Sequence, residues 1–473
     1  MGRYQDALDY IFGYVNYEKR VRYPYDAATF DLSRMEQVLE LLGRPHDKFR
    51  SVHIAGTKGK GSTSAMVESV LRTAGYRTGL FTSPHLHAFR ERIRVGSELM
   101  SRADLVDLLD RCRPALEAVE GITAFEVMTA MAFTYFAEQG VDWAVVEVGL
   151  GGRLDATNVV HPAVCAITSL SYDHVELLGH TLSLIAFEKA GIIKHGVPVV
   201  SAPQEPEAMS VIQRVCQDTR AQLSVIGDNW TMEPNGFDLS GQTLTVRGPG
   251  GNPTFSDLRI PLLGSHQLDN ATTAVAILQQ LRDRGVPISE EAIRQGLLNA
   301  RWPGRFELLN RAPILVVDSA HNENSALKLR AALADYFPRP PRRQLCLVFG
   351  ASSDKDIDGM LHQFLDAAIA AGYLPADKVI VTKSGHPRSA EPAQLADLVR
   401  QLSTQTPISV QPDLSSALRE ALAWAEPQDL ICITGSIFVV AQARRHWAER
   451  HPEAFAPDDW VWQDETAGEV VPD

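Results

Sequence analysis

Short apolar runs alternate with amphipathic segments over the first half of the chain, from Ser51 to about Ile226. The apolar runs predict strands near 51–55, 77–82, 143–148, 163–168 and 197–201. The segments with helical spacing predict helices near 62–74, 101–118, 123–138, 181–193 and 205–218. Because strands that alternate with helices are joined by crossover connections, the pattern predicts a mostly parallel sheet covered on both faces.

The pattern changes between residues 227 and 262, where short runs of Val, Leu, Thr and Ile are separated by turn residues. The turn signals are Asn235-Gly236, Ser240-Gly241 and Pro249-Gly250-Gly251. Dipeptides of this kind are typical of tight hairpin turns. We therefore expect antiparallel hairpins appended to the first domain.

A second series of apolar runs predicts four more strands, at 314–318, 345–350, 378–382 and 430–435. With helices between them, these strands predict a smaller Rossmann-like domain. Pro and Gly interrupt the pattern at 301–305, so we predict an N-terminal domain over 1–303 and a C-terminal domain over 304–473. The C-terminal domain would include a peripheral acidic tail after about Pro452, in which Trp460 and Trp462 indicate some docking.

Composition narrows the class of protein. The 473 residues, 45% hydrophobic and 22% charged, are typical of a globular protein with two or three domains. A net charge of −13 without a long Lys/Arg block argues against general nucleic-acid binding. Five scattered cysteines suggest neither a zinc site nor a disulfide framework. With no export signal and no membrane-length apolar stretch, we expect a cytoplasmic protein with no membrane partner. We also expect a monomer.

A loop rich in glycine and lysine, Gly56-Thr57-Lys58-Gly59-Lys60-Gly61-Ser62, follows the first predicted strand. Its glycines let backbone N–H groups turn toward a phosphate chain, the following helix adds its N-terminal dipole, and Lys60 adds a mobile charge. The usual P-loop has a glycine where this chain has Ile54, and it lacks the inserted Gly61. The sequence therefore predicts a variant triphosphate-binding loop, with a glycine-rich turn that binds no ligand as the alternative.

Several polar residues follow predicted strands, where open α/β sheets place their ligands. Glu147 ends an apolar strand and is a Mg²⁺-ligand candidate, unless a backbone or Arg partner satisfies it. Ser83 and His174 could join it as oxygen and imidazole ligands, although a lone His is usually structural. Composition alone would make Lys189 a surface charge. The segment 318–322 is either a nucleotide or substrate contact or a capped turn.

Ten short motifs stand together in one order: Ala55–Ser62, Thr82–Leu86, Phe125–Thr129, Glu147–Asn158, Asp173-His174 with Leu178-Gly179, Glu188–Ile192, His266–Ala271, Trp302–Arg305, Asp318–Asn322 and Thr434–Ser436. In this order the chain resembles the folylpolyglutamate synthases of the Mur ligase superfamily over nearly its whole length. The resemblance implies a P-loop, Mur-ligase-like ATPase domain followed by a Rossmann-like ligase domain. It also explains Gly61, since that family's loop runs Gly-Lys-Gly-Ser.

The resemblance assigns roles to individual residues. Lys60, Glu147, His174, Lys189 and His321 would be catalytic. ATP would lie against the loop residues Gly56, Thr57, Gly59, Lys60, Gly61 and Ser62, and against Asn270, Arg305 and Asp318. The Mg²⁺ ligands would be Ser83, Glu147, His174 and Lys189, the lysine as a CO₂-derived carbamate. Two residues depart from the family pattern, since Lys58 replaces an Asn and Ser319 replaces a Gly.

The implied reaction is ATP-dependent ligation of L-glutamate to a folate through an acyl phosphate. By resemblance, Thr123, Phe125 and Asp155 lie where bifunctional members bind the pterin of dihydropteroate, so dihydrofolate synthesis is a possible second activity. A core aromatic and a loop cap are the alternative for these residues. Two other functions stay open, a peptidoglycan-type Mur ligase and a catalytically silent nucleotide-binding protein. The stretch before Gly56 leaves little room for the extra domain of the first, and the intact Lys60 argues against the second.

Overall fold

The computed structural model describes residues 2–16, 30–338, 343–366 and 375–463, and the end of the predicted tail lies outside these ranges. Its first sheet has eight strands in the order β4-β3-β2-β5-β1-β6-β7-β8. The strands are β1 (Arg50–Ala55), β2 (Thr78–Phe81), β3 (Ile93–Val95), β4 (Glu98–Leu99), β5 (Trp143–Glu147), β6 (Val164–Ile167), β7 (Val199–Ser201) and β8 (Leu223–Val225). Six of them are parallel, and β3 and β4 add an antiparallel edge.

Helices cover both faces of this sheet, as its buried strands predict. In the described part of this domain they are α1 (Gly2–Gly13), α2 (Leu32–Leu41), α3 (Lys60–Thr73), α4 (Arg102–Glu117), α5 (Ala124–Glu138), α6 (Val175–Leu178), α7 (Leu182–Ala190), α8 (Pro206–Asp218), α9 (Ser265–Asp283) and α10 (Glu290–Leu298). One face packs on α3, α9 and α10, and the other on α1, α2, α4 and α5. The helix that follows the glycine loop is therefore held in a core from its first turn onward.

The predicted hairpins form a three-stranded antiparallel sheet of β9 (Thr231–Asp238), β10 (Gly241–Arg247) and β11 (Thr254–Ile260). It packs on the core around α9, and so belongs to the first domain as predicted. The prediction of a turn at Asn235-Gly236 is wrong, because both residues lie inside β9. Gly236 pairs with Thr243 beside a register shift, so the irregular backbone is absorbed by a bulge.

The second sheet has six strands, in the order β12-β13-β17-β14-β15-β16. They are β12 (Glu307–Arg311), β13 (Ile314–Val317), β14 (Leu345–Phe349), β15 (Lys378–Val381), β16 (Ile408–Val410) and β17 (Leu430–Thr434). The helices described here are α11 (Glu323–Tyr336), α12 (Ile357–Leu365), α13 (Pro392–Leu402), α14 (Leu414–Trp424) and α15 (Ile437–Arg450). The four predicted strands form the centre, and the prediction missed β12 and β16 because both are partly exposed edge strands.

The chain after α15 returns to the first domain. The Trp460 ring lies 6.2 Å from that of Trp302, and the Arg94 guanidinium lies 4.5 Å from the Trp460 centroid. Trp460 thus docks, as the sequence indicated, whereas the Trp462 side chain is partly exposed. Among the helices in the described ranges, none is both long enough and apolar enough to cross a membrane.

Candidate active site

The glycine loop joins the end of β1 to the start of α3. The N–H groups of Thr57 and Lys58 both donate to the Ser169 carbonyl at 3.0 Å, which fixes the loop to the chain after β6. Gly59 caps α3 at a φ of 88°, in the left-handed region that favours glycine. The Asn270 side chain occupies the space where a Cβ on Gly59 would lie. The N–H groups in the first turn of α3 have no acceptor within the helix and can therefore bind an anion.

The inserted Gly61 has a packing reason that its spacing could not reveal. A Cβ there would lie 2.5 Å from Cζ2 of Trp302. The tryptophan belongs to the segment that leads into the second sheet, so the start of α3 packs directly against this connection. Any larger side chain at position 61 would push the ring or the helix away.

Lys60 and Glu147 face each other beside the loop. Their Nζ and Oε1 atoms lie 3.7 Å apart, and Glu147 Oε2 is buried without a hydrogen-bond partner in the described structure. Burial raises the pKa of Glu147 to about 7, against the opposing effect of Lys60 and the Ser83 backbone N–H. A buried carboxylate oxygen with no partner, beside a serine at the end of β2, fits a hard cation that prefers oxygen ligands.

Lys189, another predicted metal ligand, lies close enough to Lys60 and to His174 for their charges to interact. The His174 side chain is 40% exposed, and partial desolvation together with the charges of Lys355 and Lys189 lowers its pKa to about 3 against the opposing charge of Asp173, so the imidazole is neutral. Burial lowers the pKa of Lys189 to about 7, and its side-chain amine makes no hydrogen bond or ion pair within the described ranges. No three His, Cys, Asp or Glu side chains in those ranges form a metal-binding group. A metal here would depend on Ser83 and a modified Lys189 as well.

Asp318 is buried and Arg305 is half-buried where the second domain begins. Asp318 Oδ2 accepts from the Phe306 N–H at 2.7 Å, and Oδ1 accepts from the Ala320 N–H at 2.8 Å. Burial raises the pKa of Asp318, and the nearby Arg305 opposes this rise. Asp318 therefore already holds the ends of two segments together.

Ser319 fits the position where glycine was expected. Its Oγ donates to the Gly304 carbonyl at 2.9 Å, and its own N–H donates to the same oxygen at 3.1 Å. The residue is buried and has no positive φ. The Ser319 hydroxyl therefore links the motif Asp318–Asn322 to the motif Trp302–Arg305, and it does not distort the backbone after β13.

His321 meets the glycine loop across the cleft between the two sheets. Its Nδ1 lies 2.8 Å from the Ser319 carbonyl, and its Nε2 lies 2.7 Å from Lys58 Nζ. Since a carbonyl only accepts, Nδ1 carries the proton and the lone pair of Nε2 faces Lys58. Burial, together with the charge of Lys58, lowers the pKa of His321 to about 4.

Asp173 joins this contact from the first domain. Lys58 Nζ lies 3.0 Å from its Oδ2, and Lys355 Nζ lies 2.9 Å from its Oδ1. Burial alone would raise the pKa of Asp173, but Lys58, His321 and Lys355 hold it well below its usual range. We call these four residues the cross-cleft bridge: Lys58, Asp173, His321 and Lys355.

The three predicted substrate residues lie around the loop after β5. Thr123 caps α5, and the Phe125 ring packs against Gly149. Asp155 Oδ2 accepts from the Leu150 N–H at 2.9 Å, and Oδ1 accepts from the N–H and hydroxyl of Thr157. The Asp155 carboxylate therefore holds its own loop in shape, while the partly exposed Phe125 ring is free to contact a flat ligand.

Sequence reasoning missed two residues of this region. Lys355 lies in an Asp-Lys-Asp run that follows β14, a strand-end position that could have marked it. Trp302 belongs to the motif Trp302–Arg305, but the sequence does not show that its ring packs against Gly61.

Two family models match the chain, one for each sheet. The Mur ligase middle domain matches residues 54–278, and the Mur ligase glutamate ligase domain matches residues 304–437.

Full-length relatives match as well. The chain is 35% identical over 449 residues to a Bacillus subtilis protein named dihydrofolate synthase/folylpolyglutamate synthase, covering 93% of this chain and 98% of the relative. A Mycobacterium tuberculosis folylpolyglutamate synthase solved with ADP superposes with a TM-score of 0.83, at 31% identity over 94% of this chain and 98% of that one. Escherichia coli FolC solved with DHPP and ADP gives a TM-score of 0.81, at 29% identity over 95% and 98% of the two chains.

Proposed function

This chain belongs to the folylpolyglutamate synthase and dihydrofolate synthase family of Mur ligases, and from that premise we propose that it adds L-glutamate to folates with ATP. The observation that carries the proposal is the facing pair of Lys60 and Glu147 beside the glycine loop. The pair lies at the carboxyl ends of the first sheet's strands, where His321 and Asp318 approach from the second domain. An ATP-dependent ligase needs this arrangement of a phosphate site and an amino-acid domain.

ATP would bind with its phosphates on the first turn of α3 and its terminal phosphates at Lys60. We assign the nucleotide contacts to these residues: Gly56, Thr57, Gly59, Lys60, Gly61, Ser62, Asn270, Arg305 and Asp318. Solved relatives hold ADP, which supports the use of ATP by this chain. Asn270 lies directly against Gly59, and the half-buried Arg305 guanidinium lies close enough to Asp318 and Glu147 for their charges to interact.

The folate carboxylate would attack the γ-phosphorus of ATP and form an acyl phosphate, with ADP as the leaving group. The glutamate amine would then attack the acyl carbon, and inorganic phosphate would leave as the amide bond forms. Lys60 stabilises the negative charge on the transferred group in the first step. The two domains together exclude water, which would otherwise hydrolyse the acyl phosphate.

We propose Ser83, Glu147 and His174 as Mg²⁺ ligands. Bound there, Mg²⁺ would supply electrostatic stabilisation to phosphoryl transfer. The unpartnered Glu147 oxygen and the neutral His174 imidazole fit such a role. Lys189 would add a ligand as a carbamate: its neutral amine attacks CO₂, forms an N–C bond and releases one proton. A pKa of about 7 leaves much of this buried amine neutral at physiological pH, which favours that reaction.

We propose that His321 positions the incoming glutamate. The lone pair of Nε2 already accepts from Lys58, and a pKa of about 4 disfavours a charged imidazolium. Both facts favour positioning over acceptance of the amine proton. If His321→Ala leaves turnover unchanged, this assignment is wrong.

Dihydrofolate synthesis is a second candidate, supported by the partly exposed Phe125 ring beside Gly149 and by the DHPP in the Escherichia coli structure. An aromatic ring at this place could stack on a pterin. Thr123 and Asp155 would shape the same pocket.

A product assay tests both activities. The enzyme is given ATP, Mg²⁺ and glutamate with either dihydropteroate or tetrahydrofolate, and the products are separated by mass. Successive glutamyl additions to tetrahydrofolate indicate folylpolyglutamate synthase, and one addition to dihydropteroate indicates dihydrofolate synthase. If the wild type forms neither product, the ligase proposal fails.

A further inference from the structure

Lys58 departs from the family's loop pattern, and its side chain crosses to the other domain. Its Nζ lies 3.0 Å from Asp173 Oδ2 and 2.7 Å from His321 Nε2. The side chain is only 19% exposed. Lys60, two residues further on, faces Glu147 instead. The two lysines of one loop thus serve different partners.

We propose that Lys58 is a positioning residue for the second half of the reaction, in which it holds His321 in the orientation that receives glutamate. This inference rests on the proposed glutamate ligation. It assigns Lys58 to amine transfer and not to the phosphates of ATP.

The hydrogen-bond pattern at His321 supports this assignment. Nδ1 donates to the Ser319 carbonyl, and the backbone N–H of His321 donates to the Ser325 hydroxyl oxygen at 3.0 Å. These two contacts fix the backbone and one edge of the ring. The contact with Lys58 fixes the other edge, so that removal of Lys58 frees the ring to rotate and leaves the half-buried Nε2 without its donor.

The bridge also brings the domain faces together. Asp173 accepts from Lys58 on one oxygen and from Lys355 on the other, so that a first-domain carboxylate joins a lysine from each domain. With a neutral His321, two lysines and one aspartate leave a net positive charge. Such a cluster suits an incoming amino acid that carries carboxylates.

The test compares two nucleophiles on the same acyl phosphate. Hydroxylamine attacks it to give a hydroxamate, releasing phosphate, and needs no amino-acid site. L-Glutamate needs His321 in place. We compare the wild type, Lys58→Met, Lys58→Asn and the exposed-site control Lys48→Met, each with ATP, Mg²⁺ and the folate that the wild type accepts.

We expect both Lys58 variants to form hydroxamate within about twofold of the wild type and to lose glutamate addition at least about tenfold, as a lost hydrogen bond to a charged group predicts. The loss should appear as a raised KM for glutamate with an unchanged KM for ATP. In a His321→Ala background, Lys58→Asn should cause little further loss, since two residues that act as a unit are not additive.

Three results would overturn the inference. Equal loss with both nucleophiles would place Lys58 on the phosphates. A full additional loss in the His321→Ala background would separate the two residues, and unchanged glutamate addition would remove the role altogether. Lys58→Asn keeps the test decisive if the methionine variant does not fold. A wild type that forms hydroxamate but adds no glutamate would instead show that the proposed function is wrong.

Discussion

Glu147 is the residue whose surroundings say most about the site. Its carboxylate is buried beside Lys60 and leaves one oxygen without a partner in the described structure. A group in this state costs stability when it is charged and alone. A bound cation would remove this cost by pairing with the free carboxylate oxygen of Glu147. We therefore assign a cation to the site beside Glu147.

The pKa of Glu147 gives a stability prediction. Because burial raises it from 4.5 to about 7, the folded chain holds the proton more tightly than the unfolded chain. The free energy of unfolding of the metal-free wild type should therefore fall as pH rises through this window. Glu147→Gln lacks the ionisation, so it should gain about 2–3 kcal/mol over the wild type between pH 5 and pH 8.

Denaturant unfolding in the presence of a chelator at both pH values measures this difference. Glu453→Gln is the matched control, because its carboxylate is exposed and should give no such change. If the two proteins with Glu and Gln at position 147 respond equally to pH, the carboxylate is not the strained group that we describe.

Gly61 supports a packing prediction. Gly61→Ala should destabilise the protein by about 1–3 kcal/mol, because the new Cβ meets the Trp302 ring. It should also weaken ATP binding by shifting the start of α3. In a Trp302→Leu background the same change should cost less, since the ring is gone. Thermal unfolding and calorimetric ATP binding measure both effects, and an equal cost in both backgrounds would contradict the steric explanation.

Individual residues were predictable where the residue type and a strand end carried the chemistry. Lys60 and Glu147 could be found in this way. The partners of Lys58 could not, since they lie 115 and 263 positions away along the chain. Hydrogen bonds between such distant residues depend on how two domains face each other, which periodicity does not encode.

Some secondary-structure elements were predictable from the sequence and others were not. The central parallel strands were predictable because they are buried on both faces and appear as continuous apolar runs. The strands β3, β4, β8, β12 and β16 were missed, since short or partly exposed strands lack that signal. The turn wrongly predicted at Asn235-Gly236 shows that a dipeptide preference yields when neighbouring strands pair across it.

The segment after α15, residues 451–463, contacts both domains, and we call it the strap. Arg444 on α15 is fully buried and pairs with Glu307 at 2.8 Å and with Asp459 at 3.0 Å. One residue further along the segment, Trp460 stacks on Arg94, a residue of the first sheet. The segment therefore links the C-terminal helix to the wall beside the glycine loop.

Trp460→Ala tests this link. We expect it to lower the free energy of unfolding by about 2 kcal/mol, because it removes a ring that covers the buried Arg94 guanidinium. Trp462→Ala is the matched control, since that side chain is 40% exposed. Chemical denaturation measures both variants, and equal losses would mean that the strap has no specific contact at Trp460.

At the scale of the whole molecule, two α/β domains meet at a cleft that neither could form alone. The first contributes the glycine loop, Lys60 and Glu147, and the second contributes Asp318 and His321. The sequence indicated both domains and most of these residues. It could not indicate their closeness, because the bridge from Lys58 to His321 exists only when the domains are packed together.

The central claim is that the folate carboxylate itself attacks ATP. A folate labelled with ¹⁸O in the reacting carboxylate tests it most directly, with the released phosphate analysed by mass spectrometry. The acyl phosphate passes one carboxylate oxygen to phosphorus, so each turnover with glutamate should give inorganic phosphate that carries one ¹⁸O, and Lys60→Ala should give almost none. Amide product accompanied by unlabelled phosphate would contradict the account, because ATP would then be cleaved without an acyl phosphate.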